Sequence, residues 1–507
     1  MGNKRYAPLA AALFLLTLFC WSVSSPIGSG PDADYHLSSI WCGWGESDGI
    51  CENRGSNGNQ YVAEVPFMFQ MCNSRPIEYF PECAEVASHP ETQFLRTAAT
   101  PQQNIYYKAM RAFATENPNQ SVLMMRFVNS FIASLVLWGL LTFTSGKIRF
   151  AALASWTICL VPVSIQYFSS VNPRGWATLA VMSSWAFLAE ALSARRKTKQ
   201  WNFAVLFFLL TALLALMTRI DASAFVLFTS LIVIVWHYQS SGLLNPKRIT
   251  IGLTSLILLT VIARQFSYLS DRIALNYPVN FPFKQFLLMQ ITFGPEAIVS
   301  AWGYRIGQQG NGPGIIGVIG VSLTAATIAF AFRNSQALQK ALISFVVFFM
   351  YLVIFRGSSI IQTLVPASGE YILGLTVFLI AMIIYTSHSE SQFLERRSAQ
   401  ITCVTLVTFS HILSFYWYFE FYVKRGVSIG VFEDLSLQQR WWWPTQVNPN
   451  AVFLIGVTSF PLALLTAWKT TEATERVEPL FWKFRSKIFD FVSRSDQSLS
   501  QIDKATH

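Results

Sequence analysis

Two aspartates and a histidine near the start of the chain are the first residues whose types and spacing suggest chemistry. The stretch 31–36 reads P-D-A-D-Y-H, so Asp32, Asp34 and His36 lie within five residues. A carboxylate here could deprotonate a hydroxyl group, and partial burial would raise its pKa toward that task. The alternative is an aspartate-rich turn in which Asp34 caps the start of a helix.

The same two aspartates also offer oxygen ligands, which Ca²⁺ and Mg²⁺ prefer. No EF-hand spacing surrounds them, so a divalent cation at Asp32 and Asp34 stands as an alternative and no cofactor is required. His36 has no second histidine nearby. It is therefore interpreted as a residue that contacts the substrate or positions its neighbours, and no metal site is predicted.

Basic residues near the ends of apolar segments are candidates for binding phosphate. A guanidinium can bind phosphate through two parallel hydrogen bonds, and an ionisable group close to hydrocarbon is a functional candidate. Asp221 follows Arg219 closely, while Glu296 and Glu370 are further acids that either orient an acceptor or serve the structure. For any one arginine, a salt bridge or contact with lipid headgroups is the alternative. The five candidates are Arg126, Arg174, Arg219, Arg264 and Arg272.

The seven cysteines fall into two groups. Three of them, Cys20, Cys159 and Cys403, lie in apolar segments and are predicted to be inert core residues. The other four lie in one polar segment and predict two disulfides, with three pairings open. Zinc is the weaker alternative because no C-x-x-C spacing occurs. The four are Cys42, Cys51, Cys72 and Cys83.

Apolar helices must hold these residues in place. Of the 507 residues, 52% are hydrophobic and only 13% are charged, about half the charged fraction of a soluble domain, so lipid solvates most of the chain. Segments of about 20 apolar residues predict an all-α polytopic membrane protein with twelve transmembrane helices. The predicted spans are 7–25, 121–143, 150–168, 175–193, 202–218, 223–238, 250–266, 314–332, 341–355, 371–386, 401–418 and 450–468.

The distribution of Lys and Arg predicts the orientation. Basic residues concentrate at the N-terminus, in short connections such as 195–199, and in the C-terminal tail. Both termini are therefore predicted to be cytoplasmic in a plasma-membrane protein. The net charge of +10 indicates this topology and contact with anionic lipid, and gives no reason to expect nucleic acid. The first helix is predicted to remain uncleaved, with a signal peptide as the alternative.

The predicted organisation places most of the polar chain outside the cytoplasm. Short amphipathic segments at 104–113 and 281–293 are interpreted as interfacial helices, or as walls of a groove for a lipid head. The long external loops indicate work at the outer surface. The predicted units are the first helix at 1–25, a disulfide-bearing external loop at 26–120, helices 2–7 at 121–266, a second external loop with an interfacial helix at 267–313, helices 8–12 at 314–468, and a basic amphipathic cytoplasmic tail at 469–507.

This layout and several short motifs resemble the bacterial membrane-protein family known as domain of unknown function 2142. That family typically shows P-D-E-P-x-H after its first helix, and here Pro31, Asp32 and His36 match while Ala33 replaces the Glu. Three further stretches lie where the family has motifs: N-P-R-G at 172–175 in place of N-P-D-G, S-A-W-G at 300–303 in place of a Gly/Trp-rich segment, and G-E-Y at 369–371 in place of G-R-Y.

The family looks like a branch of the GT-C glycosyltransferases, and the resemblance implies a GT-C-like fold. It implies transfer of a sugar from a polyprenyl-phosphate donor to a glycan, lipid or protein acceptor outside the cytoplasm, as part of envelope biogenesis. Asp32 would be the base, with Asp34 as the alternative, and arginines would bind the phosphate without a required metal. Two other functions stay open: a transporter or flippase of lipid-linked saccharides, and a non-catalytic scaffold for envelope assembly.

Overall fold

A computed structural model shows the arrangement of a large part of the chain. The described residues are 4–25, 27–29, 33–46, 51–53, 61–66, 92–96, 104–115, 117–160, 162–240, 285, 288–289, 291–292, 305–306, 310–311, 314–334, 337–361, 369–387, 397–423, 435 and 447–471.

Helices dominate the described residues. The helices are, in chain order, α1 (Ala7–Val23), α2 (Ala33–Trp41), α3 (Ile105–Arg111), α4 (Pro118–Phe143), α5 (Gly146–Cys159), α6 (Pro162–Ser169), α7 (Pro173–Ser193), α8 (Lys199–Thr218), α9 (Ile220–Ser240), α10 (Gly314–Asn334), α11 (Ala337–Ile361), α12 (Leu373–Ser387), α13 (Arg397–Val423) and α14 (Pro449–Lys469). Short 3-10 turns, Lys4–Tyr6 and Gly369–Ile372, precede α1 and α12. The strands are β1 (Cys51–Asn53), β2 (Tyr61–Pro66), β3 (Thr92–Arg96), β4 (Arg305–Ile306) and β5 (Gly310–Asn311).

The all-α membrane architecture is confirmed. Within the described part of the chain, six helices are long and apolar enough to cross a membrane, or seven if one bent pair counts as a span. These six are α1, α4, α8, α12 with its preceding turn, α13 and α14. Helices coincide with eleven of the twelve predicted segments, and 250–266 lies outside the described residues. The count of twelve spans stays a prediction.

The continuous span predicted at 150–168 is instead two helices. α5 ends at Cys159, α6 begins at Pro162, and the two axes differ by 96°. Proline has no backbone N–H and its ring clashes with the preceding turn, so a helix rarely continues through it. Apolar composition alone gave no sign of this break, because both halves are equally hydrophobic. The bend brings the end of α6 beside the start of α7.

α7 is the central helix of the bundle. It packs against α4, α5, α6, α8, α9 and α12, and most of its side chains are buried. A helix surrounded by other helices needs no single apolar face, which explains why its sequence mixes Trp, Ser, Ala and Thr. α1 lies to one side and packs against α4 and α14.

The described residues of the first loop form a cap with its own small core. Buried side chains of α2 and α3 pack with Val122 and Met125 of α4 and with Trp176 of α7. A disulfide joins Cys42 to Cys51, which confirms a disulfide in this loop, and Cys72 and Cys83 lie outside the described residues. β1, β2 and β3 form an antiparallel sheet that the sequence analysis did not predict.

Hydrogen bonds from two helices hold the segment that leads from α1 into the cap. Arg126 of α4 donates to the backbone oxygens of Ser22 at 2.7 Å and Ser25 at 2.8 Å. The Tyr418 hydroxyl of α13 donates to Ser25 Oγ at 2.8 Å, and Tyr422 donates to a backbone oxygen in the same segment. These bonds satisfy carbonyl groups that the end of α1 leaves unpaired, and they set the starting point of α2.

Candidate functional site

A recess opens where the N-terminal ends of α7, α9 and α12 meet. The recess is small: the space open to the centre of a water molecule is about 20 Å³, and the space between its walls is about 320 Å³ when the open mouth is included. The charged rim consists of Arg174, Arg219, Asp221 and Glu370, all four of which the sequence analysis selected. This end of α7 is opposite the basic connection 195–199, so the recess lies on the predicted extracytoplasmic side.

One face of α7 forms a wall of the recess. Ala177 and Thr178 follow Arg174 by three and four residues, and Val181 follows them by four and three, which places all four on one side of a helix. Seven residues span about 10 Å along a helix axis. The wall therefore runs about 10 Å from the charged rim toward the middle of the bundle, and small or apolar side chains from α9 and α12 complete it.

Arg174 is the most buried charge of the rim. Its side chain is 7% exposed, and Nη1 donates both to Glu370 and, at 2.8 Å, to the Tyr167 hydroxyl. The Tyr167 hydroxyl in turn donates to the other oxygen of Glu370. Buried Arg174 Nε has no hydrogen-bond partner among the residues that the structure describes. A buried donor without a partner is unusual, and it leaves one hydrogen-bonding position of Arg174 unsatisfied by the described residues.

Arg219 lies between α8 and α9 and is paired with Asp221. Its Nε donates to Oδ1 at 3.0 Å, and its Nη2 donates to Oδ2 at 3.0 Å. This two-pronged geometry is the strong form of an Arg–carboxylate pair. The side chains of Arg219 and Asp221 are 35% and 30% exposed, so water and solutes reach this side of the recess.

The ring of Tyr371 lies against both guanidinium groups. The carbon at the centre of the Arg174 guanidinium is 4.2 Å from the ring centroid, and that of Arg219 is 5.5 Å away. The face of an aromatic ring attracts a cation. Tyr371 therefore stabilises two positive charges in one recess, and the negative charges of Glu370 and Asp221 neutralise them.

The N-P-R-G sequence has a local structural reason at each position. The Asn172 side chain accepts a hydrogen bond from the Arg174 backbone N–H at 2.8 Å, and Pro173 occupies the first turn of α7. A Cβ atom at Gly175 would overlap the carbonyl oxygen of Tyr167. The glycine thus permits the close approach of α6 and α7 that places Tyr167 beside Arg174.

His36 of α2 adds an imidazole near the recess. Its Nδ1 is hydrogen-bonded to the Tyr107 hydroxyl of α3 at 2.9 Å. Burial lowers the pKa of His36 to about 3, and the positive charges of Arg174 and Arg219 act in the same direction. The imidazole is therefore neutral at pH 7 and can exchange hydrogen bonds, but it adds no positive charge to the recess.

Comparison with known proteins identifies the family. The family model described as "Predicted membrane protein (DUF2142)" matches residues 14–294, more than half of the chain. The chain belongs to the DUF2142 family. Among curated proteins and among solved structures no match was found. The DUF2142 segment includes Arg174, Arg219 and Asp221, whereas Glu370 and Tyr371 follow it.

The other predicted site residues lie elsewhere. Arg126 is held by carbonyl groups at the end of α1 and does not line the recess. Asp34 is the second residue of α2, and its side chain is outside the described part of the chain. Three further candidates from the sequence and one acid also lie outside the described residues: Asp32, Arg264, Arg272 and Glu296.

Two tyrosines of the recess were missed as site residues. Tyr371 lies within the G-E-Y stretch, in which Glu370 is a predicted site residue and Tyr371 is not. Tyr167 lies in a segment that was interpreted as the end of a continuous span. Only the break between α5 and α6 brings its hydroxyl to Arg174, and no signal in the sequence indicates that contact.

Proposed function

We propose that this DUF2142 protein is a membrane glycosyltransferase that moves a sugar from a polyprenyl-phosphate donor to an extracytoplasmic envelope glycan, lipid or protein. The proposal includes a GT-C-like fold of twelve spans in the plasma membrane, with both termini cytoplasmic. The observation that carries it is the pair of guanidinium groups, Arg174 and Arg219, in one recess at one end of the helix bundle.

The donor set of the recess suits phosphate. A phosphate group presents several strongly accepting oxygens, and arginine is the residue best shaped to bind two of them at once. Arg174 Nε has no partner within the described residues, and Arg219 lies on the more exposed side. A phosphate between them would receive donors from α7 and from the junction of α8 and α9.

The lining below the rim is apolar and closely packed. Ala177 and Val181 continue from Arg174 along α7, with Ala222 and Phe225 of α9 beside them, and all four side chains are buried. The polyprenyl chain of a donor bound at the rim would therefore extend toward the lipid and not into the bundle. Removal of each CH₂ group from water contributes about 0.8 kcal/mol, so the chain would add affinity that a free phosphate lacks.

The proposed reaction needs a base and a stabilised leaving group. The bond between the sugar anomeric carbon and the phosphate oxygen breaks, and its electron pair stays on that oxygen. The acceptor hydroxyl forms the new bond to the anomeric carbon, and its proton passes to the Asp32 carboxylate. The phosphate changes from one negative charge to two, and Arg174 and Arg219 stabilise the added charge.

The cap supports this assignment through position. The segment that precedes Asp32 is held to α4 and α13, and His36 follows in a helix that packs on α3. His36 also lies close enough to Arg174 and Arg219 for their charges to lower its pKa. The loop that carries the proposed base therefore starts on the same side of the bundle as the recess.

Transfer in vitro tests the proposal. The purified protein would be incubated with a panel of polyprenyl-phosphate sugars and with envelope glycan, lipid and protein fractions. We expect transfer from one donor, with a loss of about 100-fold or more in Asp32→Asn. Asp48→Asn, the same change in the same loop, serves as the matched control and should retain activity. Equal transfer by Asp32→Asn would remove Asp32 as base, and movement of lipid across vesicles without any product would replace the enzyme by a transporter.

A further inference from the structure

The recess already contains an acid at the place where a phosphate would bind. Glu370 accepts a hydrogen bond from Arg174 Nη1 through one oxygen and from Tyr167 through the other. A ligand phosphate that uses the same Arg174 donor must take the place of this carboxylate. Glu370 therefore competes with a ligand for Arg174, and the charge of the ligand decides how well it can replace the carboxylate.

Three observations indicate that a ligand can displace the Glu370 carboxylate from Arg174. Its side chain is 22% exposed, whereas that of Arg174 is 7% exposed, so the carboxylate is the more hydrated member of the pair. It lies on the short turn Gly369–Ile372 that precedes α12. The Tyr371 ring also lies against the Arg174 guanidinium, so Arg174 has a second contact that the Glu370 side chain does not provide.

The formal charges of the rim add up to zero. Arg174 and Arg219 carry two positive charges, and Asp221 and Glu370 carry two negative charges. Asp221 accepts hydrogen bonds from Arg219 Nε, from Arg219 Nη2 and from the Ala222 backbone N–H. Glu370 accepts one hydrogen bond from Arg174 and one from the neutral Tyr167 hydroxyl, so it is held by fewer donors, of which only one is charged. A ligand with one negative charge would replace the equal charge of Glu370 at Arg174, so it would gain little net attraction. A ligand with two charges gains additional attraction from Arg219.

We propose that Glu370 acts as an internal competitor at Arg174, so that the recess binds lipids bearing a phosphate monoester, a dianion, in preference to phosphodiesters, which are monoanions. This inference rests on the proposed function and deepens it. A polyprenyl-phosphate sugar is a phosphodiester, and it becomes a monoester when the sugar leaves. Glu370 would then release Arg174 to the phosphate as the second charge appears, so the salt bridge changes partners during bond cleavage rather than on binding.

Binding of two short isoprenoid probes tests this exchange. Farnesyl phosphate and its methyl phosphodiester carry the same chain and differ by one charge at pH 8. Their affinities would be measured with the full-length protein in phosphatidylcholine nanodiscs. The wild type should bind the monoester about tenfold more tightly than the diester, a difference of about 1.4 kcal/mol. In Glu370→Gln the diester should bind about tenfold more tightly than it binds to the wild type, and the preference should fall below about threefold.

Two further variants keep the result interpretable. Tyr167→Phe removes one donor to Glu370 without removing its charge, and should shift the preference in the same direction by a smaller factor. Glu190→Gln removes a buried carboxylate at the far end of α7, where Ser145 and Gln200 donate to it, and should keep the wild-type preference.

The outcomes separate this inference from the proposed function. Binding of both probes to the wild type, with the same preference in Glu370→Gln, would overturn the exchange and leave the anion site standing. Weaker binding of both probes to Glu370→Gln, in protein that unfolds at the wild-type temperature, would also overturn it, because Glu370 would then assist the ligand. Absence of binding to wild type and Glu370→Gln alike would contradict the proposed function itself.

Discussion

The contact between α7 and α12 below the recess predicts a strong effect of one added methyl group. Gly374 of α12 faces α7, and a Cβ atom there would lie 2.7 Å from Val181 Cβ and 3.0 Å from its Cγ1. Carbon atoms in ordinary contact are about 3.5 to 4.0 Å apart. Gly374→Ala therefore requires the two helices to separate locally by about 1 Å.

This separation has two measurable consequences. Added volume in a well-packed core typically destabilises a protein by about 1 to 3 kcal/mol, so we expect a loss of that size here. Tyr371 precedes Gly374 by one turn, and its ring would move away from the guanidinium groups of Arg174 and Arg219. Because a displacement of about 1 Å in a positioned site can cost about 100-fold, the affinity of the folded protein for farnesyl phosphate should fall by up to that factor, about 2.7 kcal/mol.

The assay combines thermal unfolding in detergent with probe binding in nanodiscs. Gly317→Ala in α10 is the matched control, since its Cβ would have no atom of the described chain within 4 Å. That variant should be neutral, or stabilised by about 0.5 to 1 kcal/mol through helix propensity. Gly374→Ala combined with Val181→Gly removes the overlap and should restore binding. Wild-type stability and affinity in Gly374→Ala alone would refute the close contact of the two helices.

Three other contacts give predictions of their own. Because burial holds the pKa of His36 near 3 against an ordinary value of 6.5, its neutral form stabilises the fold fully above pH 6.5, and this contribution is lost as the pH falls toward 3. The loss is roughly 1.4 kcal/mol per pH unit, so thermal unfolding of His36→Asn should depend less on pH in that range, and an unchanged profile would contradict the burial. Cys42→Ser opens a loop with a sequence separation of 9, which should destabilise the cap by about 2 to 3 kcal/mol and increase its proteolysis, and proteolysis at the wild-type rate would contradict a stabilising role of this disulfide. Arg126→Met should lower the unfolding free energy by about 3 kcal/mol, because two carbonyl groups lose a charged donor, but the probe affinity of the folded protein should stay at the wild-type level if Arg126 lies apart from the recess.

Residue type singled out four residues that line the recess, and their role in binding phosphate stays a prediction. Arg174, Arg219, Asp221 and Glu370 stand out because charged residues are scarce near apolar segments. Their meeting could not be predicted in the same way. A separation of 196 residues lies between Arg174 and Glu370, and helix periodicity carries no information about which distant helices become neighbours.

The positions of the helices could be predicted from local sequence. Long apolar segments coincided with helices, because a backbone in hydrocarbon must satisfy its hydrogen bonds within the segment. The break between α5 and α6 was missed, although Pro162 marked it, because the apolar composition continued across it. The partner of Arg126 could not be predicted from its type and position. These suggested phosphate binding, but its guanidinium donates to backbone carbonyl groups at the end of α1.

Binding of farnesyl phosphate to a variant that lacks both guanidinium groups tests the central claim most directly. Each charged hydrogen-bond donor contributes about 1.5 to 3 kcal/mol, so Arg174→Gln with Arg219→Gln should weaken binding by at least about 100-fold. The wild-type affinity should also fall with rising salt, and the variant should lose most of that dependence. If the folded double variant binds the probe as tightly as the wild type does, the recess is not the phosphate site.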